Sequence, residues 1–277
     1  MCDIKEDNLG IDCEKAEKLI TEKTKAIIPL HFAGIPCDQN EVFELADKHN
    51  LRVIEDAMHA FGTSIDNKKI GSYGDITCFS FDPVKIVTSI DGGCVIVNNE
   101  DEFKKLQKMR LLGVDKDTTE RYKNKRAWDY DVISEGYRYH LTNIMASVGI
   151  SQIKRIDEFI KNRQKICQDY NAAFKKIDEL KIPNTDFWTI SPFIYCLRII
   201  NNKREELIQH LDKLDIDVGI HFIPVHKHEY FSNERFGDMT ITEKIVKQVL
   251  TIPLHSNMHS DDVKRVIDGI CSFFKKN

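Results

Sequence analysis

An acidic and an amino side chain each follow a short apolar run in the first third of the chain. Asp56 ends the run 51–56, and Lys85 comes shortly after the run 76–81. Both runs are rich in β-branched or aromatic residues and are bounded by Gly, Asp and Pro, which predicts buried strands. Ligands bind beyond the carboxyl ends of strands in open α/β sheets, because the loops there meet in a crevice. Asp56 and Lys85 are therefore candidates for one site.

Spacing alone also fits a purely structural interpretation of these two residues. An aspartate at a strand end is often a turn residue or a helix cap, and a single lysine is usually solvated. The spacing therefore leaves a catalytic pair and two unrelated polar residues open.

The elements around this pair indicate an α/β fold. A strand over 24–31, a helix over 39–49 and a strand from 51 form a βαβ unit, which implies parallel strands with the helix packed on the sheet. A further strand over 93–97 and a helix from 99 continue the pattern.

The second half of the sequence predicts a smaller α/β domain. A long helical pattern over 143–177 leads into it and bridges the two halves. The predicted elements that follow are strands at 193–200, 218–222 and 250–254, with helices at 203–214, from 242 and at 260–274. We expect two domains, over residues 1–155 and 156–277.

Composition is typical of a soluble globular protein and excludes several classes. The protein has 277 residues, 42% of them hydrophobic, and a formal net charge of −4 without a long basic block, so we expect no nucleic-acid partner. No targeting segment or membrane-length run is visible, which predicts a cytoplasmic protein. The eight cysteines form no Cys-x-x-Cys pair, so buried free thiols explain them better than disulfides or zinc.

A polar and aromatic stretch between residues 113 and 139 reads as a long loop, and long loops in compact domains tend to be functional. Arginines and aromatic rings together suit an anionic ligand with a ring, such as a nucleotide diphosphate. A solvated loop with buried rings is the alternative. The residues concerned are Arg121, Arg126, Trp128, Tyr130, Tyr137, Arg138 and Tyr139.

Three histidines near residue 225 raise the question of a metal site. His221, His226 and His228, with Glu229, fit no standard spacing of metal ligands, so we expect no metal.

Several ordered motifs resemble one protein family. EDAMHAFG at 55–62, GSYGD at 71–75, FSFDPVK at 79–85 and GYRYHLTN at 136–143 are similar to the core signature of the DegT/DnrJ/EryC1/StrS family. The family comprises sugar aminotransferases that depend on pyridoxal phosphate (PLP). The resemblance implies the fold-type-I architecture of aspartate aminotransferase, with a mostly parallel central sheet flanked by helices and a small carboxyl-terminal α/β domain.

The resemblance assigns roles to five residues. The lysine matching Lys85 anchors PLP covalently and then moves a proton as general acid and base. The aspartate matching Asp56 keeps the pyridine nitrogen of PLP protonated. His59 would contact the cofactor ring, Ser80 would hold its phosphate, and Asn143 would reach the phosphate in a neighbouring subunit. A homodimer with shared active sites follows.

The resemblance also suggests the reaction. Lysine at position 85 favours transamination, because the related sugar dehydratases have histidine there. The implied acceptor is a nucleotide-linked keto-deoxysugar, with a 4-keto sugar preferred, and the implied donor is glutamate. His221 and Tyr137 are candidates for binding the sugar nucleotide.

Two departures from the family pattern affect these expectations. Asp82 and the segment 89–93 differ locally without touching the core groups. Met1 aligns after roughly the first quarter of the family, so the phosphate loop and a ring-stacking aromatic residue are missing, and the chain as given should bind PLP weakly. A catalytically inactive homologue acting as a binding or regulatory module is the alternative function, and an unrelated α/β domain would require the motif series to be accidental.

Overall fold

The structure is a computed structural model that describes residues 1–116, 123, 128 and 130–275. The helices are α1 (Cys13–Glu17), α2 (Gln39–His49), α3 (Glu100–Met109), α4 (Asn143–Ile153), α5 (Ile156–Phe174), α6 (Arg204–Asp212), α7 (Thr240–Ile245) and α8 (Ser260–Lys275). The strands are β1 (Ala26–Ile27), β2 (Arg52–Asp56), β3 (Ser64–Ile65), β4 (Lys68–Lys69), β5 (Ile76–Ser80), β6 (Gly93–Val97), β7 (Leu180–Lys181), β8 (Tyr195–Ile199) and β9 (Val249–Ile252).

The first sheet is mostly parallel and has the strand order β1-β2-β5-β6. β1, β2 and β5 run parallel, whereas β6 is antiparallel to β5. The register pairs Asp56 with Cys78, so the carboxyl ends of β2 and β5 lie at the same edge. The predicted α/β fold is confirmed, and its sheet brings the two candidate loops together.

The predicted βαβ unit is confirmed as β1-α2-β2. Asp38 caps α2 by accepting from the Glu41 N–H at 3.1 Å, and Asn50 ends the helix in the left-handed conformation. Val42 and Leu45 of α2 are buried in one apolar cluster with Val53 of β2. This packing fixes β2 against the helix.

The second sheet, β7-β8-β9, is antiparallel and belongs to a separate apolar core. Helix α5 buries Tyr170 and Phe174 there, and the strands bury Tyr195, Leu197 and Leu250. The two sheets fall on either side of residue 155, but the division into domains at that point stays a prediction.

Two predicted elements need correction, and one element was missed. The long helix over 143–177 is two helices, because α4 ends at Ile153 and Arg155 has non-helical angles before α5. The strand over 218–222 is a single bridge between Gly219 and Thr251. A hairpin, β3-β4, was not predicted; its turn residues Asp66 and Asn67 both have positive φ.

A buried carboxylate near residue 1 is fixed to the second half of the protein. The Asp3 side chain is fully buried and accepts hydrogen bonds from the Thr242 N–H at 2.7 Å, the Ile241 N–H at 2.9 Å and Lys15 Nζ at 2.7 Å. These partners hold the pKa of Asp3 below its ordinary value in spite of burial. The carboxylate therefore joins α1 to the start of α7.

We expect Asp3→Asn to lower the free energy of unfolding by about 2–3 kcal/mol at neutral pH, because an amide NH₂ would face donors in a buried site. Asp7→Asn, on an exposed aspartate, is the control and should change stability by less than about 0.5 kcal/mol. Urea unfolding measures both. Because the folded-state pKa is lowered, the contribution of Asp3 is present above its unfolded-state pKa and is lost as the pH falls. Equal stability of the two variants would contradict this role.

Candidate active site

Asp56 ends β2 and is half-buried at the edge of the first sheet. Its Oδ1 accepts from the Met58 N–H at 3.3 Å, which starts the turn that follows the strand. Its backbone C=O accepts from the His31 N–H at 3.0 Å. Burial raises the pKa of Asp56, and the Met58 hydrogen bond and the charge of Lys85 oppose that rise. The carboxylate thus has spare acceptor capacity in a partly desolvated place.

Lys85 lies in the loop between β5 and β6 and is also half-buried. Its Nζ is 4.5 Å from the ring centroid of Phe193, within range of a cation–π interaction. Burial lowers the pKa of Lys85, and the carboxylates of Asp82 and Asp56 oppose that change. A lowered pKa increases the neutral fraction of the amine, which is the nucleophilic form.

His59 is buried against the same phenylalanine, with 3% of its surface exposed. Its ring stacks on Phe193 with centroids 4.3 Å apart and an interplanar angle of 27°. Burial, followed by the charges of Lys85 and His221, lowers the pKa of His59 to about 3. Its Nδ1 is buried and has no hydrogen-bond partner among the described residues. Leaving a buried polar atom without a partner costs roughly 1–3 kcal/mol of folding free energy, so this nitrogen is available to a polar group of a ligand.

His221 approaches the same group from the second half of the protein. Its Nδ1 lies 2.9 Å from Thr251 Oγ1, which fixes the ring to β9. Burial, followed by the charge of Lys85, lowers the pKa of His221. The neighbouring Phe222 is 54% exposed and its ring centroid lies 6.2 Å from that of His59. The sequence-predicted residues Asp56, Lys85, His59 and His221 therefore form one cluster.

Phe193 is a site residue that sequence reasoning missed, and a buried arginine positions it. Arg163 on α5 is 6% exposed, and its Nη1 donates to the C=O groups of Phe193 at 2.9 Å and Leu254 at 3.2 Å. Burial lowers the pKa of Arg163 to about 10, which leaves it charged at neutral pH. No spacing signal distinguishes Phe193 from an ordinary core aromatic residue.

Ser80 ends β5 and lies on the loop that carries Lys85. Its Oγ accepts from the Asp82 N–H at 3.3 Å, so the hydroxyl helps to shape the loop. Ser80 pairs with Gly93 across the antiparallel strands, which places it at the same edge of the sheet as Asp56.

Among the described residues, no hydrogen bond, ion pair or ring contact joins Tyr137 or Asn143 to this cluster. Tyr137 is 42% exposed and stacks on Tyr139 with ring centroids 5.0 Å apart. Asn143 is exposed in the first turn of α4, directly after the capping residue Thr142. Arg121 and Arg126 lie outside the described residues.

The other two histidines of the group near residue 225 differ in burial. His226 is buried and its Nε2 lies 3.2 Å from Glu243 Oε1, whereas His228 is exposed. Within the part of the protein that the structure describes, no group of three or more His, Cys, Asp or Glu side chains could hold a metal ion.

Comparisons with known proteins now identify the family. The sequence model of the DegT/DnrJ/EryC1/StrS aminotransferase family matches residues 1–271. The chain belongs to this family. Its enzyme class is therefore aminotransferase, and its fold is that of the sugar aminotransferases.

Named relatives agree with this assignment. The family member is 35% identical to the spore coat polysaccharide biosynthesis protein SpsC of Bacillus subtilis, over 99% of its own length and 72% of that protein. It is 32% identical to the UDP-4-amino-4,6-dideoxy-N-acetyl-beta-L-altrosamine transaminase of Campylobacter jejuni, over 99% of its own length and 73% of that protein.

Solved structures show the same fold. The putative sugar aminotransferase Spr1654 from Streptococcus pneumoniae, in its PMP form, superposes with a TM-score of 0.91 at 27% identity, over all of this protein and 76% of that one. Among the described residues no helix has both the length and the apolar character needed to cross a membrane.

The residues of the site fit PLP, the cofactor on which aminotransferases of this family depend. The amine of Lys85 could react with the aldehyde of PLP, and the carboxylate of Asp56 could accept a hydrogen bond from its protonated ring nitrogen. The unpartnered Nδ1 of His59 matches a polar substituent on a ring stacked nearby. These are the residues that would hold the cofactor.

We expect the His59 imidazole to show no protonation between pH 5 and 8, because its pKa is about 3. Histidine NMR resonances followed across that range measure it. Lys85→Met should raise the pKa of His59, because the charge of Lys85 lowers it, whereas Lys104→Met, on an exposed helical lysine, is the control. A His59 that titrates like an exposed imidazole would contradict the burial described here.

Proposed function

We propose that this protein carries out PLP-dependent transfer of an amino group from glutamate to a nucleotide-linked 4-keto-deoxysugar, in amino-sugar or surface-polysaccharide biosynthesis. The observation that carries the proposal is the cluster of Lys85, Asp56 and His59 at the carboxyl edge of the parallel strands. A half-buried amine with a lowered pKa, a carboxylate with spare acceptors and a neutral buried imidazole form one group there.

PLP, when bound, supplies an aldehyde that reacts with amines and a ring that accepts an electron pair. Lys85 would hold the cofactor through its Nζ and would move a proton at the substrate carbon. Because burial lowers the pKa of Lys85, a larger fraction of the amine is neutral and able to accept that proton.

The remaining residues orient the cofactor. The Asp56 carboxylate would hold the proton of the ring nitrogen, and His59, neutral and buried, would contact the ring without adding charge. The hydroxyl of Ser80, at the end of β5, would bind the phosphate. His221, fixed by Thr251, and Tyr137 serve the sugar nucleotide.

The name of the Campylobacter relative supports a nucleotide-linked 4-keto sugar as the substrate. That name describes a UDP-linked sugar with an amino group at position 4, which corresponds to a ketone at the same carbon before transamination. The donor glutamate is carried over from the family resemblance. We also propose a cytoplasmic location and a division into domains 1–155 and 156–277, with the site between them.

Exposed apolar side chains on α4 and β6 support a homodimer. Ile144, Ile150 and Ile153 of α4 are 74%, 58% and 46% exposed, and Val95 of β6 is 49% exposed. Exposed aliphatic side chains of this size favour association with another chain. Asn143 opens α4 next to Ile144, and the family resemblance assigns Asn143 to the cofactor phosphate of the partner subunit.

We expect PLP to attach at Lys85. The protein is incubated with PLP, reduced with borohydride and digested, and the labelled peptide is located by mass. Lys85→Arg should abolish the label and reduce amino transfer by roughly a thousandfold or more, because the covalent anchor and the proton carrier are both lost. Lys104→Arg is the matched control and should keep both. Specific labelling elsewhere with Lys85 unmodified would overturn the assignment, and no labelling at all would favour the binding or regulatory module.

We expect shared sites to show complementation between two inactive variants. Lys85→Ala and Asn143→Ala each impair every site of their own dimer. After subunit exchange, half of the dimers are mixed and each has one intact site, so activity should return to about a quarter of the wild-type level. The assay is amino transfer from glutamate to a keto sugar nucleotide, with sedimentation to confirm the dimers. A mixture no more active than its components, or a monomer with full activity, would contradict shared sites.

A further inference from the structure

Glu55, the residue before Asp56, is a buried carboxylate held by four donors. It is 1% exposed. Its Oε1 accepts from Gln39 Nε2 at 2.6 Å and His31 Nε2 at 3.1 Å, and its Oε2 accepts from Thr77 Oγ1 at 2.7 Å and the Gly74 N–H at 3.2 Å. These donors come from α2, β5 and the loops after β1 and before β5. One carboxylate therefore connects every element around the end of β2.

His31 binds β2 at two successive residues. Its Nδ1 accepts from the Cys37 N–H at 3.2 Å, so the proton of the neutral ring lies on Nε2 and is donated to Glu55. Its backbone N–H donates to the C=O of Asp56 at 3.0 Å. The His31 ring is fully buried, and it thereby couples the Glu55 carboxylate to the backbone of Asp56.

Strand geometry transmits this coupling to the Asp56 side chain. Successive side chains of a strand point to opposite faces, so Glu55 and Asp56 are directed to opposite sides of the sheet. Because the Glu55 side chain is fixed on one face of the sheet, the direction of the Asp56 side chain on the opposite face is fixed as well.

The GSYGD motif completes the network. A Cβ on Gly74 would lie 2.7 Å from Glu55 Oε2, so only glycine lets the loop approach the carboxylate this closely. The next residue, Asp75, accepts from Arg52 Nε at 2.9 Å and the Val53 N–H at 3.1 Å, which ties the loop to the start of β2. The loop is therefore built around β2.

The charge of Glu55 is stabilised in spite of its burial. Desolvation works to raise the pKa of Glu55, but the hydrogen bonds from His31, Thr77 and Gly74 outweigh it, so the pKa is lowered. All four observed partners are donors, which is the arrangement that an ionised carboxylate requires.

We infer that Glu55, with His31 and Gly74, forms a positioning network that sets the direction of the Asp56 carboxylate toward the ring nitrogen of PLP. This inference rests on the proposed function. The network acts through the backbone of β2 and touches neither the cofactor nor the substrate. Its predicted effect is on how strongly Asp56 holds the ring proton, beyond any effect on folding.

Two variants test the network. Glu55→Gln places an NH₂ group opposite two donors, and Gly74→Ala displaces Glu55 while every functional group remains. The control is Asp3→Asn, which disturbs an equally buried carboxylate whose donors lie on α1 and α7. The measurements are the half-saturating PLP concentration, the ring-nitrogen shift of ¹⁵N-labelled PLP as a function of pH, and amide exchange of the His31 N–H in cofactor-free protein.

In both test variants we expect the half-saturating PLP concentration to rise about tenfold, because a misdirected Asp56 carboxylate loses much of its interaction with the ring nitrogen. The ring nitrogen should lose its proton at a lower pH than in the wild type, and the His31 amide should exchange faster than global unfolding accounts for. Asp3→Asn should lower stability while leaving all three readouts unchanged.

Unchanged ring-nitrogen titration in a folded Gly74→Ala or Glu55→Gln protein would overturn the inference. The inference would also be overturned if Asp3→Asn shifted the ring-nitrogen titration as much as the two test variants do. If Glu55→Gln does not fold, Gly74→Ala decides, with Thr77→Val as a milder change of the same network. Failure of the proposed function is distinguishable, because wild-type protein would then show no PLP label at Lys85.

Discussion

The hydrogen bonding and pKa values of the site depend on how charged groups are buried at the carboxyl edge of the first sheet. Glu55 and Asp56 are adjacent, yet their environments differ completely. Glu55 is enclosed by four donors, so its pKa is lowered, whereas Asp56 has one backbone donor on its carboxylate and its pKa is raised. A saturated carboxylate stabilises the fold, and an unsaturated one is available to a ligand. The parallel strands produce both situations within two residues.

The second half of the protein completes the same environment. Phe193, Phe222 and His221 surround His59 and Lys85 with apolar and neutral surface, and Arg163 holds the backbone of Phe193 in place. Low local polarity keeps the imidazole neutral and favours the uncharged amine. The chemistry of the cluster therefore depends on residues that the second half of the protein brings to the edge of the first sheet.

The sequence predicted the parts of this arrangement that follow from periodicity and motif. The βαβ unit, the strand ends and the position of Asp56 and Lys85 beside them could be read from apolar runs and turn residues. The break between α4 and α5 could not, because no Gly or Pro marks it. The hairpin turn at Asp66 and Asn67 carried a readable signal, since both residue types tolerate positive φ. Phe193 and the partners of Glu55 depend on contacts between distant segments, which spacing in the sequence does not encode.

The carboxylate of Asp3 imposes an order on folding. Its hydrogen bond to the Thr242 N–H joins residues that are 239 positions apart, and closing a loop of that length costs about 5 kcal/mol in entropy. During synthesis, two of the donors that hold Asp3 emerge long after Asp3 itself. Until α7 forms, Lys15 and water are the partners open to Asp3, so docking of this segment onto α7 belongs to the later steps in reaching the native state.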